Sequence, residues 1–301
     1  MRLLITGWQG QLARSLVEAA AVRPEITALS LGRPALDLCA RPSILRSLSD
    51  HTPDVIINTA AYTAVDKAET DRDAAFALNR DGAAMLAEAA AAKHIPVIHV
   101  STDYVFDGAK PTPYVEDDAT GPQNVYGASK LAGELAVAAA NPRHIILRTA
   151  WVHSPFGQNF VKTMLRLAAT RPRLGVVADQ LGNPTYAPHL ATAILDIAAK
   201  LNGRASGDAA WGLYHAAGSG ETSWHGLAQA IFARSKAGGG PFAEADPIPA
   251  TAYPTPAARP ANSRLDCGKL AKAFGIRLPP WQDGVTACVA RLLQPTDQAS
   301  P

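Results

Sequence analysis

Cysteine is scarce in this 301-residue chain: Cys39, Cys267 and Cys288 are odd in number, far apart and in no CxxC spacing. That excludes a disulfide framework and a cysteine-rich zinc site, and it suits a reducing cytoplasm. Charged residues make up only 18% and nearly cancel, 28 Lys and Arg against 26 Asp and Glu. No basic block asks for a nucleic-acid partner. Long apolar runs are missing as well. The Ala-rich stretch at residues 83–92 carries Glu88 and runs into Lys93, so it reads as a soluble helix and not a membrane span. Met1-Arg2 leads straight into Leu3-Leu4-Ile5-Thr6-Gly7, too short for a signal-peptide core. Neither an H-x-x-x-H pair nor a carboxylate cluster argues for a metal, and none is expected. What remains is apolar residue, 48% of the chain. That amount buries a sizeable core in about two domains, or in one large domain with a smaller lobe, and excludes a disordered chain.

The first half alternates short β-branched runs with Ala/Leu-rich helical ones. Strands are predicted at Arg2–Thr6, Thr27–Leu31, Asp54–Thr59, Pro96–Ser101 and His144–Thr149, and helices at Leu12–Ala21, Ser43–Ser49, Asp73–Lys93 and Tyr126–Ala140. Strands apolar on both faces, separated by helices, predict an α/β fold with a doubly wound parallel sheet of the Rossmann type. After residue 150 the rhythm changes. Helices are still expected at Asn159–Ala169 and His189–Leu201, but Gly238-Gly239-Gly240 and the Pro-rich stretch Pro247–Pro260 predict a loop-rich lobe in place of further sheet. The expected organisation is a dinucleotide-binding domain at 1–150 and a smaller substrate lobe at 151–301. Residues 174–187 are expected to return to the first domain and 297–301 to fray.

The first strand ends in Gly7-Trp8-Gln9-Gly10-Gln11-Leu12-Ala13. Glycines at a strand-to-helix turn let the backbone approach a pyrophosphate at the helix N-terminus. The spacing G-x-x-G-x-x-A departs from the standard fingerprint, and an ordinary strand–helix turn would also produce it. Tyr126 and Lys130 lie four residues apart, hence on one helix face. A cation beside a phenol favours the phenolate, which would make Tyr126 a proton donor and acceptor tuned by Lys130. A surface i,i+4 contact is the plainer alternative. Thr102 follows the PVIHVS strand, where open α/β sheets place their chemistry. Its hydroxyl would hold a carbonyl oxygen beside Tyr126, unless Thr102 and Asp103 merely cap the next turn. His99 and His144 read as structural. An NAD-selective site carries an acidic residue at the end of the second strand. Here that strand is followed by Gly32-Arg33, so Arg33, with Ser30 adding a hydroxyl, would read a 2′-phosphate. A solvated loop arginine reads nearly as well. NADPH is expected, with NADH also used.

Five segments occur together in order: GWQGQLA at 7–13, NTAAYTAVDKAE at 58–69, STDYVFDG at 101–108, YGASK at 126–130 and RTAWV at 148–152. Their combination resembles the extended short-chain dehydrogenase/reductases, and within them the dTDP-4-dehydrorhamnose reductase family. The resemblance extends to about residue 270 through DQLGNPT at 179–185 and RPANS at 259–263.

That resemblance implies reduction of the C4 ketone of dTDP-4-dehydro-L-rhamnose by NAD(P)H to dTDP-L-rhamnose. It implies Tyr126 as proton donor, Lys130 on the nicotinamide ribose and Thr102 on the reacting oxygen. For the cofactor it implies Gly7, Gly10, Gln11 and Leu12 at the pyrophosphate, Asp37 and Leu38 at the adenine, and Ala60, Ala61, Tyr62 and Thr63 along its path. Asp103 and Trp151 would contact the deoxysugar, the indole offering its face to the apolar side of the ring, and Arg259 would clamp the diphosphate. The magnesium that some family members bind between subunits needs a glutamate where this chain has Ala13-Arg14-Ser15. A cytoplasmic monomer or homodimer is expected. Two other readings share the resemblance: a nucleotide-sugar epimerase or dehydratase, and a non-catalytic regulatory subunit like the beta subunit of methionine adenosyltransferase. Dehydratases usually carry an Asp-Glu pair after the catalytic Thr, whereas Thr102 is followed by Asp103-Tyr104.

Overall fold

The computed structural model describes residues 1–201 and 204–294; the expectation for 297–301 lies outside them. Five predicted strands form within a residue or two of their expected limits: Arg2–Thr6 (β1), Thr27–Leu31 (β2), Val55–Asn58 (β3), Val97–Thr102 (β4) and His144–Thr149 (β5). With Gly212–His215 they make a six-stranded parallel sheet in the order 212–215, β5, β4, β3, β1, β2. Both faces are covered. Leu3 and Ile5 of β1 point into a core shared with the helices Gln11–Ala21 (α1) and Ala187–Leu201, while Leu4 between them faces Leu38, Ile44 and Leu86 on the other side. Chain order reverses between β1 and β3, which opens a crevice at the carboxyl ends of these strands.

The single helix expected at Asp73–Lys93 is divided. Regular turns at Arg72–Phe76 and Ala83–Ala91 flank a π-helical turn over Ala77–Gly82. Such turns cluster at functional sites because the extra residue re-aims side chains. Here the turn carries Asn79, whose carbonyl lies so close to the helix Val125–Ala140 that a Cβ on Gly133 would stand 2.1 Å from it.

Beyond residue 150 the packing departs from expectation in two places. Arg173–Val177 does not return to the large sheet. It pairs in parallel with Glu244–Ile248, and Leu174, Val176 and Tyr186 join the lobe core with Ile231, Phe232, Trp281 and Val285. That pairing draws Pro247, opposite Val176, into a strand that the Pro-rich composition argued against. A two-stranded ribbon has an open edge on each strand, so a residue without an N–H is tolerated there. The segments that do return to the main core are the strand Gly212–His215, which extends the sheet beside β5, and Leu190–Leu201 and Leu270–Leu278, whose apolar side chains cover the sheet face that α1 leaves bare.

Candidate functional site

A cavity of about 1270 Å³ occupies the crevice, and, Ser30 apart, every residue expected at the cofactor or the reacting carbonyl lines it, from Gly7 and Gly10 through Arg33, Asp37, Tyr62 and Thr63 to Thr102, Tyr126 and Lys130. Gly7 takes φ +83°, a left-handed conformation that glycine adopts without strain. Gly10 precedes α1, whose N-terminus has no side-chain cap, and a Cβ on Gly10 would meet no protein atom within 4 Å. The open space and uncapped amides form a cradle for an anion. A dinucleotide pyrophosphate therefore fits the residues present. At the end of β2, Arg33 is exposed and lines the cavity. Ser30 does not add its proton to that site, because its hydroxyl donates to the Gly7 carbonyl at 3.0 Å. The Asp37 carboxylate accepts from the amide of Cys39 at 2.9 Å.

The chemistry-bearing groups stand on two rigid elements. Thr102 ends β4, paired with Thr149, and Tyr126 and Lys130 lie one turn apart on the helix Val125–Ala140. Asn124 caps that helix by accepting from the Gly127 amide at 2.7 Å. Gly127 brings the helix against Tyr104, since a Cβ there would stand 2.2 Å from the Tyr104 carbonyl. The Tyr104 ring in turn meets Tyr126 edge-on at 5.7 Å.

Electrostatics differ from the sequence expectation. Burial pushes the Tyr126 phenol up to about 12, opposed by a hydrogen bond with Thr102 and helped by nearby Asp103. Lys130 does not lower it. Instead the Lys130 ammonium donates to the Val100 carbonyl at 2.7 Å and lies 3.5 Å from His99 Nε2. Burial pushes Lys130 itself down to about 8, against the pull of Glu134. Burial thus keeps the Tyr126 phenol protonated while making it a weaker acid than a free phenol, and the Lys130 ammonium is held by the Val100 carbonyl and not by the phenol.

Of the residues expected at the substrate, the structure brings Asp103 and Trp151 to the cavity but not Arg259. Asp103 is buried, and burial raises its carboxyl to about 6, with the Thr102 and Ser263 hydroxyls pulling the other way. Trp151 lines the cavity, yet its face is not on offer. One side is covered by Trp224, stacked at 3.6 Å and 6°, and the other by Gly182. Arg259 is absent from the cavity lining; its guanidinium grips Asp66 through bonds of 2.9 and 3.1 Å.

Of the supports, the sequence pointed only to His99, as a structural residue. Asn79 holds the Tyr62 loop through the Tyr62 amide and carbonyl, at 2.8 and 3.1 Å, and reaches Ser129 on the helix Val125–Ala140 at 2.9 Å. Thr6, Asn58 and His99 form a buried row ending at Lys130. Burial and the lysine charge hold His99 well below the usual histidine range, so it is neutral. Nothing local marks Asn79, Thr6 or Asn58, because each acts across 17 to 52 positions of chain. Trp8, Gln9 and Gln158 also line the cavity unanticipated.

A Thr–Tyr–Lys set at the carboxyl ends of a doubly wound sheet, opening onto a glycine-turn cradle, defines an oxidoreductase of the extended short-chain dehydrogenase/reductase class. The chain belongs to the family described as RmlD substrate binding domain, whose model matches residues 1–294. It is 54% identical over 293 residues to the dTDP-4-dehydrorhamnose reductase of Sinorhizobium fredii, covering 97% of this chain and 98% of that one. Identity to the dTDP-4-dehydrorhamnose reductase of Escherichia coli K12 is 41% over 303 residues, covering 98% and 99%. Among solved structures, dTDP-4-dehydrorhamnose reductase from Bacillus anthracis in complex with NADP superimposes with a TM-score of 0.88 at 33% identity, over 96% of this chain and 99% of that one.

Proposed function

We propose that this protein reduces the C4 ketone of dTDP-4-dehydro-L-rhamnose to dTDP-L-rhamnose with NADPH. The observation that carries the reading is the placement of Thr102, Tyr126 and Lys130 in the same cavity as the Gly7–Gly10 cradle. The names of the relatives support the substrate, and the NADP of the Bacillus anthracis structure supports the cofactor. Another relative, 42% identical over 267 residues, is described as a probable dTDP-4,6-dihydroxy-2-methyloxan-3-one 4-ketoreductase, which shares the dTDP group and the 4-ketone.

NADPH, when bound, supplies hydride to C4. The chain's own part is to hold the ketone oxygen near Thr102 and Tyr126 and to give it the Tyr126 phenolic proton. Lys130 exchanges the Val100 carbonyl for the nicotinamide ribose hydroxyls and, once there, stabilises the tyrosinate left behind. The amides at the start of α1, with Gln11 and Leu12, take the pyrophosphate. Asp37 and Leu38 flank the adenine, and Ala60–Thr63 form the wall of the cofactor channel. Arg33 takes the 2′-phosphate. Asp103 and Trp151 contact the deoxysugar, and Arg259 turns from Asp66 to the diphosphate. The enzyme acts as a cytoplasmic monomer or homodimer.

The decisive experiment is NADPH oxidation by the purified protein with the 4-keto-6-deoxy sugar nucleotide, followed by the stereochemistry of the product at C4. Conversion to the rhamno product is expected. No oxidation with any keto-sugar, together with co-purification of a larger enzyme, would instead establish a regulatory subunit. Turnover on tightly held nicotinamide with none added would establish an epimerase or dehydratase.

A further inference from the structure

We propose that Trp224 and Gly182 are positioning residues: they form a slot that holds the Trp151 indole edge-on to the sugar end of the cavity. This rests on the reading above that Trp151 contacts the deoxysugar. Trp151 lies two residues past the end of β5 and takes φ +48°, a conformation that an L-residue keeps only where its surroundings over-determine it. The surroundings do so here. The Trp224 ring lies parallel to the indole at 3.6 Å. A Cβ built on Gly182 would stand 2.4, 2.6 and 2.7 Å from Cε2, Nε1 and Cζ2. Such near-equal distances place it over the ring and not in its plane, hence on the side that Trp224 leaves open. Nε1 donates to Ser263 Oγ at 3.1 Å, and the Trp151 carbonyl accepts from the Thr185 amide at 3.2 Å.

Backbone sets the width of the slot. A two-residue antiparallel ladder pairs Thr222 with Gly182 and Ser223 with Leu181, and Trp224 is the next residue after it. Ser223 caps the helix Trp224–Ala237 by accepting from the Gly226 amide at 3.0 Å, and Phe160 packs against Trp224 with ring centroids 4.7 Å apart and tilted by 47°. With both faces taken, the indole presents only an edge. An aromatic edge is the positive part of the ring's quadrupole, so it takes an oxygen of the sugar in preference to its methyl face.

The test compares Trp224→Ala, Trp224→Phe, Gly182→Ala and Trp151→Ala. Calorimetry gives the affinity for dTDP-L-rhamnose in saturating NADP+, for dTDP alone, and for NADP+. Circular dichroism follows the exciton couplet of the stacked indole pair. Trp224→Ala and Gly182→Ala are expected to weaken dTDP-L-rhamnose binding about 10- to 100-fold, to leave dTDP and NADP+ within about twofold, and to lose or shift the couplet. Trp224→Phe keeps a stacking ring and should restore most of the affinity, though not the couplet. If Trp151→Ala weakens the sugar nucleotide while Trp224→Ala and Gly182→Ala bind it like wild type, the slot has no positioning role. If Trp151→Ala itself binds normally, the underlying contact is wrong and the proposal falls with it. Should Trp224→Ala fail to fold, Gly182→Ala, which adds one methyl group, decides by the same measurements.

Discussion

Thr102 Oγ1 donates its single proton to Asp103 Oδ1 across 2.9 Å. A hydroxyl so committed can accept from Tyr126 but cannot also donate to the reacting oxygen, so the protonation state of Asp103 decides what Thr102 is free to do. Asp103 stands at about 6 against an ordinary 3.8, chiefly through burial. A carboxyl with a raised folded pKa binds more protons folded than unfolded between these values. Stability therefore declines as pH rises from about 4 to about 6 and is level above. Asp103→Asn removes that decline, on the order of 2–3 kcal/mol. Melting temperatures across this range should move in the variant's favour up to about pH 6. A constant difference would show that Asp103 titrates normally.

Tyr126→Phe keeps the ring edge-on to Tyr104 and deletes the acid. Loss of a general acid costs about 10²–10⁴-fold, here in kcat, with NADPH affinity preserved. A Phe variant within a few-fold of wild type would remove Tyr126 from the role.

Lys130, pushed down to about 8 by burial, loses its positive charge as pH rises through that value. The kcat/KM for ketone reduction should fall above about pH 8 in wild type, and Lys130→Arg, which stays charged, should move that limb upward. An unchanged limb would assign the titration to another group.

Arg33, directly after Gly32 at the end of β2, and Lys130 are the two cations lining the cavity among the described residues, and Arg33 is exposed there. Arg33→Ala should raise KM for NADPH and leave that for NADH nearly unchanged. A charge-assisted contact of about 1.5–3 kcal/mol corresponds to roughly 10- to 150-fold. Equal losses with both cofactors would show that the 2′-phosphate is read elsewhere.

Gly127→Ala sets a methyl 2.2 Å from the Tyr104 carbonyl, which is backbone and cannot rotate away. Overpacking of this kind costs about 1–3 kcal/mol, and the relief available is a shift of the helix that carries Tyr126. Thermal melts should show the destabilisation and kinetics a fall in kcat; a variant normal in both would mean that the helix and Tyr104 are not tightly apposed.

Local pattern was enough for the strands of the main sheet, the glycine turn and the Tyr126–Lys130 face. Each depends on near neighbours in the chain: apolar runs buried on two sides, a turn that needs φ above zero, a four-residue helical step. The same is true of Thr102, which follows from the end of a legible strand. What the sequence could not carry is whatever depends on partners far along the chain. The lysine's present hold on Val100 and His99, the Asn79 brace raised by a π-helical turn, the Arg259–Asp66 pair and the closed faces of Trp151 all join segments that only the sheet and the lobe bring together. Even Pro247, a strand breaker by composition, becomes strand because a distant Val176 lies beside it. Periodicity records which side of an element is apolar. It does not record which surface that side meets, and here that meeting decided the electrostatics around Tyr126 and which faces of Trp151 are closed.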